Sequence, residues 1–214
     1  MVRILCQTPS AAHRFVAELR DVSIQKDKHR FRFNLRRLGA VMAYEVSKVL
    51  PFAEKTVQTP LGTAHHLLSD NSPVLIAVLR AALPYLEGFH QVFDDAETGF
   101  IGAYRVEGNG ELRVQLDYAA LPDLIGRDVI LIDPMLATGG SMIDSFGLLK
   151  KKGNWRSLHL AALIASTQGL DAVNNALGDQ ADLWTFAVDP ALNAQSYIVP
   201  GLGDAGDLSF GEKH

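Results

Sequence analysis

Between Val129 and Ser141 the chain reads VILIDPMLATGGS, and the residue types in that order point to one kind of chemistry. Four apolar residues, Val129 to Ile132, run into Asp133. A short turn through Thr138, Gly139, Gly140 and Ser141 then opens onto the helical spacing of Met142, Ile143, Phe146 and Leu149. Adjacent glycines let the backbone turn without a Cβ, so consecutive N–H groups can converge at the positive end of a helix dipole. Such a point suits a phosphate monoester. Asp133, one short turn away, can accept hydrogen bonds from sugar hydroxyls, directly or through a hydrated cation. A phosphate beside a ribose is the implied ligand. A nucleotide-hydrolysing Walker loop would need a lysine after its last glycine, and Gly140 is followed by Ser141. The pair Gly139-Gly140 also lacks the G-x-G-x-x-G spacing of a dinucleotide fold. The plainest competing reading is a glycine turn that only reverses the chain, and the acid at the strand end weighs against it.

Two further segments fit the same ligand. Arg80 follows the apolar run that ends at Leu79, where a cation at the carboxyl end of a buried strand would neutralise a second anionic group such as a diphosphate. The tail from Tyr197 to Asp207, YIVPGLGDAGD, is rich in glycine and carries two acids. Backbone N–H and C=O groups of such a loop can read the alternating donors and acceptors of a flat base.

The elements that must position these residues are legible as an alternation. Apolar runs at Val74 to Leu79, Val129 to Ile132, Leu158 to Ile164 and Leu183 to Val188 are continuous enough for strands buried on both faces of a parallel sheet. Helices are expected at Ser141 to Lys152, closed by Gly153, and at Leu170 to Leu177, closed by Gly178. Strand and helix in turn argue for an α/β sheet with its ligand outside the carboxyl ends of the strands. Leu35, Leu38, Met42, Val46 and Val49 predict an amphipathic helix from Asn34 to Leu50, stopped by Pro51. Thr56 to His66, around Pro60-Leu61-Gly62, and the stretch around Gly108-Asn109-Gly110 read as projecting hairpins. The basic cluster Lys26, Lys28, His29, Arg30, Arg32, Arg36 and Arg37 reads as a solvated helix entrance or an oligomer contact. The adjacent His65 and His66 point to opposite faces of an extended segment and make a poor metal site.

Bulk properties bound the rest. The 214 residues suit one domain, and the 48% hydrophobic content is that of a soluble globular chain. A net charge of -4 gives no general attraction to nucleic acid or an anionic membrane. The single cysteine, Cys6, excludes an internal disulfide framework and a cysteine metal cluster. The start, MVRILCQTPS, is too short in its apolar run for an expected signal peptide, no stretch approaches a membrane span, and a cytoplasmic location is expected.

DPMLATGGS at Asp133 to Ser141, LRA at Leu79 to Ala81, Tyr104-Arg105 and YIVPGLGDAGD at Tyr197 to Asp207 together resemble the uracil phosphoribosyltransferases. These are type I phosphoribosyltransferases of pyrimidine salvage. The resemblance runs in order from about Arg20 to Gly211. It implies the conversion of uracil and 5-phosphoribosyl 1-diphosphate to UMP and diphosphate, on a single domain with a mainly parallel sheet flanked by helices. A β-arm at about 52–70, a mobile loop at about 105–118 and a base-binding hood at about 190–211 complete the implied fold. The donor would be held by Arg80, Arg105, Asp133, Pro134, Met135, Leu136, Ala137, Thr138, Gly139, Gly140, Ser141 and Asp204. Asp133, Arg105 and Asp204 would be the catalytic groups, and Ile198, Gly203, Asp204 and Ala205 would read uracil. Mg²⁺ is implied with the donor, held mainly by the donor itself with no protein metal site, and GTP acts as an allosteric effector in some members. A homodimer or higher homo-oligomer is implied, with neither nucleic acid nor membrane as partner. The chain departs from the pattern at Ala82, where the family usually has glycine, and at Ala120 and Leu208, where it usually has basic residues. A nucleotide- or donor-sensing regulator on the same fold, or a transferase for another base, is the second reading.

Overall fold

The computed structural model describes residues 1–108 and 111–212, with only the backbone of residues 103–117. A short strand β1 (Val2–Ile4) precedes helix α1 (Ala12–Arg20) and the long helix α2 (Lys28–Ser47). The Asp27 side chain opens α2 by accepting the Arg30 N–H at 3.0 Å, an N-cap bond. Next comes an antiparallel hairpin, β2 (Phe52–Thr59) and β3 (Gly62–Ser69). The Thr59 hydroxyl accepts from the N–H groups of Leu61 and Gly62 and closes its turn. The centre of the chain alternates: β4 (Val74–Leu79), α3 (Ala82–Phe89), β5 (Thr98–Gly108), β6 (Glu111–Ala120), β7 (Asp128–Ile132), β8 (Met135–Leu136) and α4 (Gly140–Lys150). It continues through β9 (Ser157–Ala161), β10 (Ile164–Ser166), α5 (Thr167–Leu177), β11 (Asp182–Thr185) and β12 (Ala187–Asp189). A small hairpin, β13 (Ala191–Leu192) with β14 (Ile198–Val199), and the helix α6 (Ala205–Phe210) end the described chain.

The main sheet has seven strands in the order β1-β11-β9-β7-β4-β5-β6. Every pairing in it is parallel except β5 with β6. A second, all-parallel sheet of β12-β10-β8 stands beyond the carboxyl ends of β11, β9 and β7. Alternate residues of the central strands feed two cores. Leu75, Ala77, Ile130 and Ile132 pack with Leu35, Leu38 and Met42 of α2 and Tyr85 and Phe89 of α3. Val74, Ile76, Val78, Val129 and Leu131 pack with Met142, Phe146 and Leu149 of α4 and Val173 and Leu177 of α5. Both faces of the sheet are covered by helices, which is why these strands read as unbroken apolar runs.

The α/β reading and the central strands hold, with several differences of boundary; α4, for one, spans Gly140–Lys150 rather than 141–152. Helix α2 spans Lys28–Ser47 rather than 34–50, because its cap, Asp27, lies inside the basic cluster and the chain turns out of the helix ahead of Pro51. The apolar runs 158–164 and 183–188 each divide into two strands. At Ala162 and Leu163 the chain leaves β7 and bonds instead to Trp184 and Pro134: the Ala162 N–H reaches the Trp184 carbonyl at 2.9 Å, and the Leu163 N–H the Pro134 carbonyl at 2.9 Å. All residues at that switch stay buried, so hydrophobic periodicity carries no mark of it. Helix α5 begins at Thr167, ahead of the expected Leu170, because Ser166 caps it. Strand β1 and helix α1 were not anticipated.

Candidate active site at the carboxyl ends of the strands

Asp133 stands at the end of β7, in the middle of the main sheet, and is 9% exposed. Its N–H donates to the Ala161 carbonyl at 3.2 Å, and its carboxylate accepts the Met135 N–H at 3.2 Å. The segment after it is more than a turn. Pro134 accepts from Leu163 and Ile164, and Met135–Leu136 pairs with β10, so Asp133 is braced on both sides by strand pairing.

The glycine turn then meets helix α4 directly. Gly139 has φ 87°, a left-handed conformation that favours glycine. The Ile143 N–H returns to the Gly139 carbonyl at 3.0 Å as an early bond of α4. The first N–H groups of a helix have no intrahelical acceptor, and here they face the turn that carries Thr138, whose hydroxyl accepts the Gly140 N–H at 3.4 Å. The other wall is α5. Ser166 caps that helix by accepting the Gly169 N–H at 2.8 Å and donates to the Ala137 carbonyl at 2.5 Å. Gly169 approaches so closely that a Cβ on it would lie 2.3 Å from the Ala137 carbonyl oxygen. Two helix starts therefore fix the loop from Ala137 to Ser141. This is a geometry for a phosphate.

Arg80 leaves the end of β4, the strand beside β7. Its Nη2 donates to the Asp207 carboxylate at 2.8 Å and to the Gly211 carbonyl at 3.4 Å. Its Nε is buried and makes no hydrogen bond among the described residues. Asp204 caps α6, its carboxylate accepting from the N–H groups of Gly206 and Asp207 at 2.8 and 2.9 Å. Capping thus falls to Asp204, and Asp207 pairs with the arginine. Of the base-reading candidates, Ile198 and Ala205 are buried and Gly203 lies between them with φ 96°. The peptide bonds Leu79–Arg80 and Val199–Pro200 are cis.

Sequence reasoning missed the pair that anchors this last loop. Arg20, at the end of α1, makes a two-pronged bond to Asp189 at 2.7 and 2.9 Å. The same two side chains hold Gly201, Arg20 donating to its carbonyl at 3.0 Å and Asp189 accepting its N–H at 2.9 Å. Far apart in sequence, the pair had no local signal.

Asp133, Pro134 to Ser141, Arg80 and the loop 198–205 thus lie at strand ends or on loops beyond them. Arg105 belongs to β5, and its side chain, like that of Tyr104, lies outside the described residues, as do Asn109 and Gly110 of the expected mobile loop. Strands β5 and β6 pair with one another past Gly102, the last residue at which β5 pairs with β4. Ala82 is buried in the first turn of α3, where its methyl joins the core. Leu208 packs against the same core, and Ala120 is exposed at the end of β6. Much of the basic cluster is engaged in packing. Arg30 bonds Glu18 at 2.8 Å, Arg32 donates to the Ser209 carbonyl at 2.7 Å, and Arg37 lies over the rings of Phe33 and Phe15 at 4.0 and 4.9 Å. His65 faces Glu54 at 3.3 Å on the exposed hairpin.

A family model described as uracil phosphoribosyltransferase matches residues 5–212. The chain is 45% identical over 205 residues to the uracil phosphoribosyltransferase of Porphyromonas gingivalis, covering 95% of each. It is 39% identical over 212 residues to that of Dictyoglomus turgidum, covering 98% of this chain and 99% of the other. The solved structure of the AQ2163 protein from Aquifex aeolicus superposes with a TM-score of 0.88 at 30% identity, covering 99% of this chain and 98% of that one.

Proposed function

This chain belongs to the uracil phosphoribosyltransferase family, and we propose from that premise how its residues carry the reaction. The protein is a pentosyltransferase that joins uracil to the ribose of 5-phosphoribosyl 1-diphosphate, giving UMP and diphosphate in pyrimidine salvage. The observation that carries the assignment of its site is the bracing of Asp133 beside the loop from Ala137 to Ser141, at the start of α4.

Displacing diphosphate from C1 builds positive charge on the sugar ring and negative charge on the leaving group, so the protein contributes position and electrostatics. The loop from Ala137 to Ser141 takes the 5′-phosphate through backbone N–H groups and the hydroxyls of Thr138 and Ser141. Pro134, Met135 and Leu136 carry that loop away from the strand end. Asp133 accepts from the ribose hydroxyls and holds C1 toward the base. Arg80, with Arg105, takes the diphosphate. Asp204 bridges donor and base from the cap of α6. Ile198, Gly203 and Ala205 read the edge of uracil through their backbone. A backbone N–H aimed at the 4-keto oxygen is left unpaired by the amino group of cytosine, a strong basis for discrimination.

Mg²⁺ would neutralise charge on the diphosphate as it leaves. Among the described residues no three His, Cys, Asp or Glu side chains gather as metal ligands. On this reading the donor's own oxygens would hold most of its coordination, with Asp133 the carboxylate at the sugar.

The hairpin β2–β3 presents Phe52, Val57, Leu61 and Leu67 to solvent, Leu61 fully. An exposed apolar arm supports homodimerisation through it. No helix among the described residues is long and apolar enough to cross a membrane. Conversion of labelled uracil to UMP, with cytosine, hypoxanthine and orotate alongside, tests the function. Turnover of uracil alone is expected, and turnover of another base in its place would overturn the assignment.

A further inference from the structure

The proposed base-reading segment and the arginine at the end of β4 are joined by an ion pair. Asp207 Oδ1 holds Arg80 Nη2 at 2.8 Å. The Gly211 carbonyl supports the same nitrogen at 3.4 Å. Gly211 is itself tied back to Asp207 by a 2.8 Å backbone bond. The guanidinium lies against the first turn of α6: a Cβ on Gly206 would be 3.8 Å from Nη2 and 3.1 Å from the Asp204 carboxylate. One nitrogen of the fork is thus anchored while Nε stays buried with no acceptor among the described residues.

A buried donor without an acceptor is costly, and it marks the side on which an anion would complete the group. A long, flexible arginine side chain loses rotamer entropy when it is fixed. Anchoring one prong removes part of that loss before the ligand arrives. The side chains are 37% and 30% exposed, so the pair adds little to stability by itself. Its value lies in orientation.

We propose that Asp207 is the positioning residue of Arg80, holding its guanidinium with the free edge turned to the diphosphate. The proposal rests on the reading of Arg80 as a diphosphate ligand. The opposing effect is the repulsion of the diphosphate by the Asp207 carboxylate. The orienting effect outweighs it, because the carboxylate charge is spent on Nη2 while Nε remains the donor without an acceptor among the described residues.

The test is calorimetric titration of inorganic diphosphate with Mg²⁺ into the wild-type chain, Asp207→Asn, Arg80→Ala and the double variant. Asp207→Asn is expected to lower the affinity about tenfold. In the Arg80→Ala background the same substitution is expected to add nothing. The KM for uracil in Asp207→Asn should remain that of the wild type, which a general loosening of α6 would raise. Should the asparagine variant not fold, Asp207→Glu serves instead, keeping the charge but displacing the fork, with the same loss expected. Diphosphate affinity at or above wild type in the single variant, or losses that add in the double, would overturn the proposal. Wild-type protein that leaves uracil unconverted would instead defeat the functional reading on which it rests.

Discussion

The Ser166 hydroxyl donates to the Ala137 carbonyl at 2.5 Å while accepting the N–H of Gly169 at 2.8 Å. One buried side chain therefore caps α5 and pins the entrance of the loop from Ala137 to Ser141. Ser166→Ala removes both bonds, and the combined cost is expected to be about 2 kcal/mol. Because the loop it pins is proposed to hold the donor, KM for 5-phosphoribosyl 1-diphosphate should rise while KM for uracil holds. Denaturant midpoints and the two KM values check this, and an unchanged donor KM would contradict the supporting role.

Asp189 and Arg20 form the corresponding anchor of the proposed base-reading loop, both holding Gly201. Asp189→Ala strips a partly buried guanidinium of its carboxylate and frees the loop, at an expected cost of about 2 kcal/mol. The kinetic signature should be the reverse of that at Ser166, a raised KM for uracil with donor KM little changed. Equal changes in both would mean that the anchor serves the fold as a whole.

Glu18 gathers Arg30, Asn34 and Arg14 between α1 and α2. The Arg30 hydrogen bonds, then those of Asn34 and Arg14, hold its carboxyl at about 2, below the usual 4.5. A carboxyl depressed in the folded state contributes stability that is complete above about pH 4.5 and lost as the pH falls toward 2. In Glu18→Gln the fall in denaturation midpoint across that window should be shallower than in the wild type. Parallel curves for the two proteins would remove Glu18 from the acid response.

What the sequence disclosed follows the range over which each feature is built. The strand, acid, glycine turn and helix from Val129 to Leu149 are contiguous, so residue types alone reveal them. Arg80 was legible as a strand-end cation, but its bond to Asp207 spans 127 residues and the Arg20–Asp189 pair 169. No local pattern encodes such partners. The strand switch at Ala162–Leu163 was hidden for a different reason: the residues stay fully buried while their hydrogen-bond partners change. The start of α2 was missed because Asp27, its cap, sits among basic residues that drew the reading toward charge. Of that basic cluster, Arg30, Arg32 and Arg37 prove to be fastenings between α1, α2 and α6.

The central claim is that Asp133, braced at the end of β7, holds the ribose while the neighbouring loop holds its phosphate. It is tested most directly by comparing steady-state UMP formation from uracil and 5-phosphoribosyl 1-diphosphate in the wild type and in Asp133→Asn. The amide keeps the shape and an acceptor for the Met135 N–H but removes the charge. The account predicts a fall in kcat/KM for the donor of about a hundredfold, the loss of one preorganised electrostatic contact, with an unchanged thermal midpoint and preference for uracil. Donor kinetics equal to the wild type in a folded Asp133→Asn protein would contradict it.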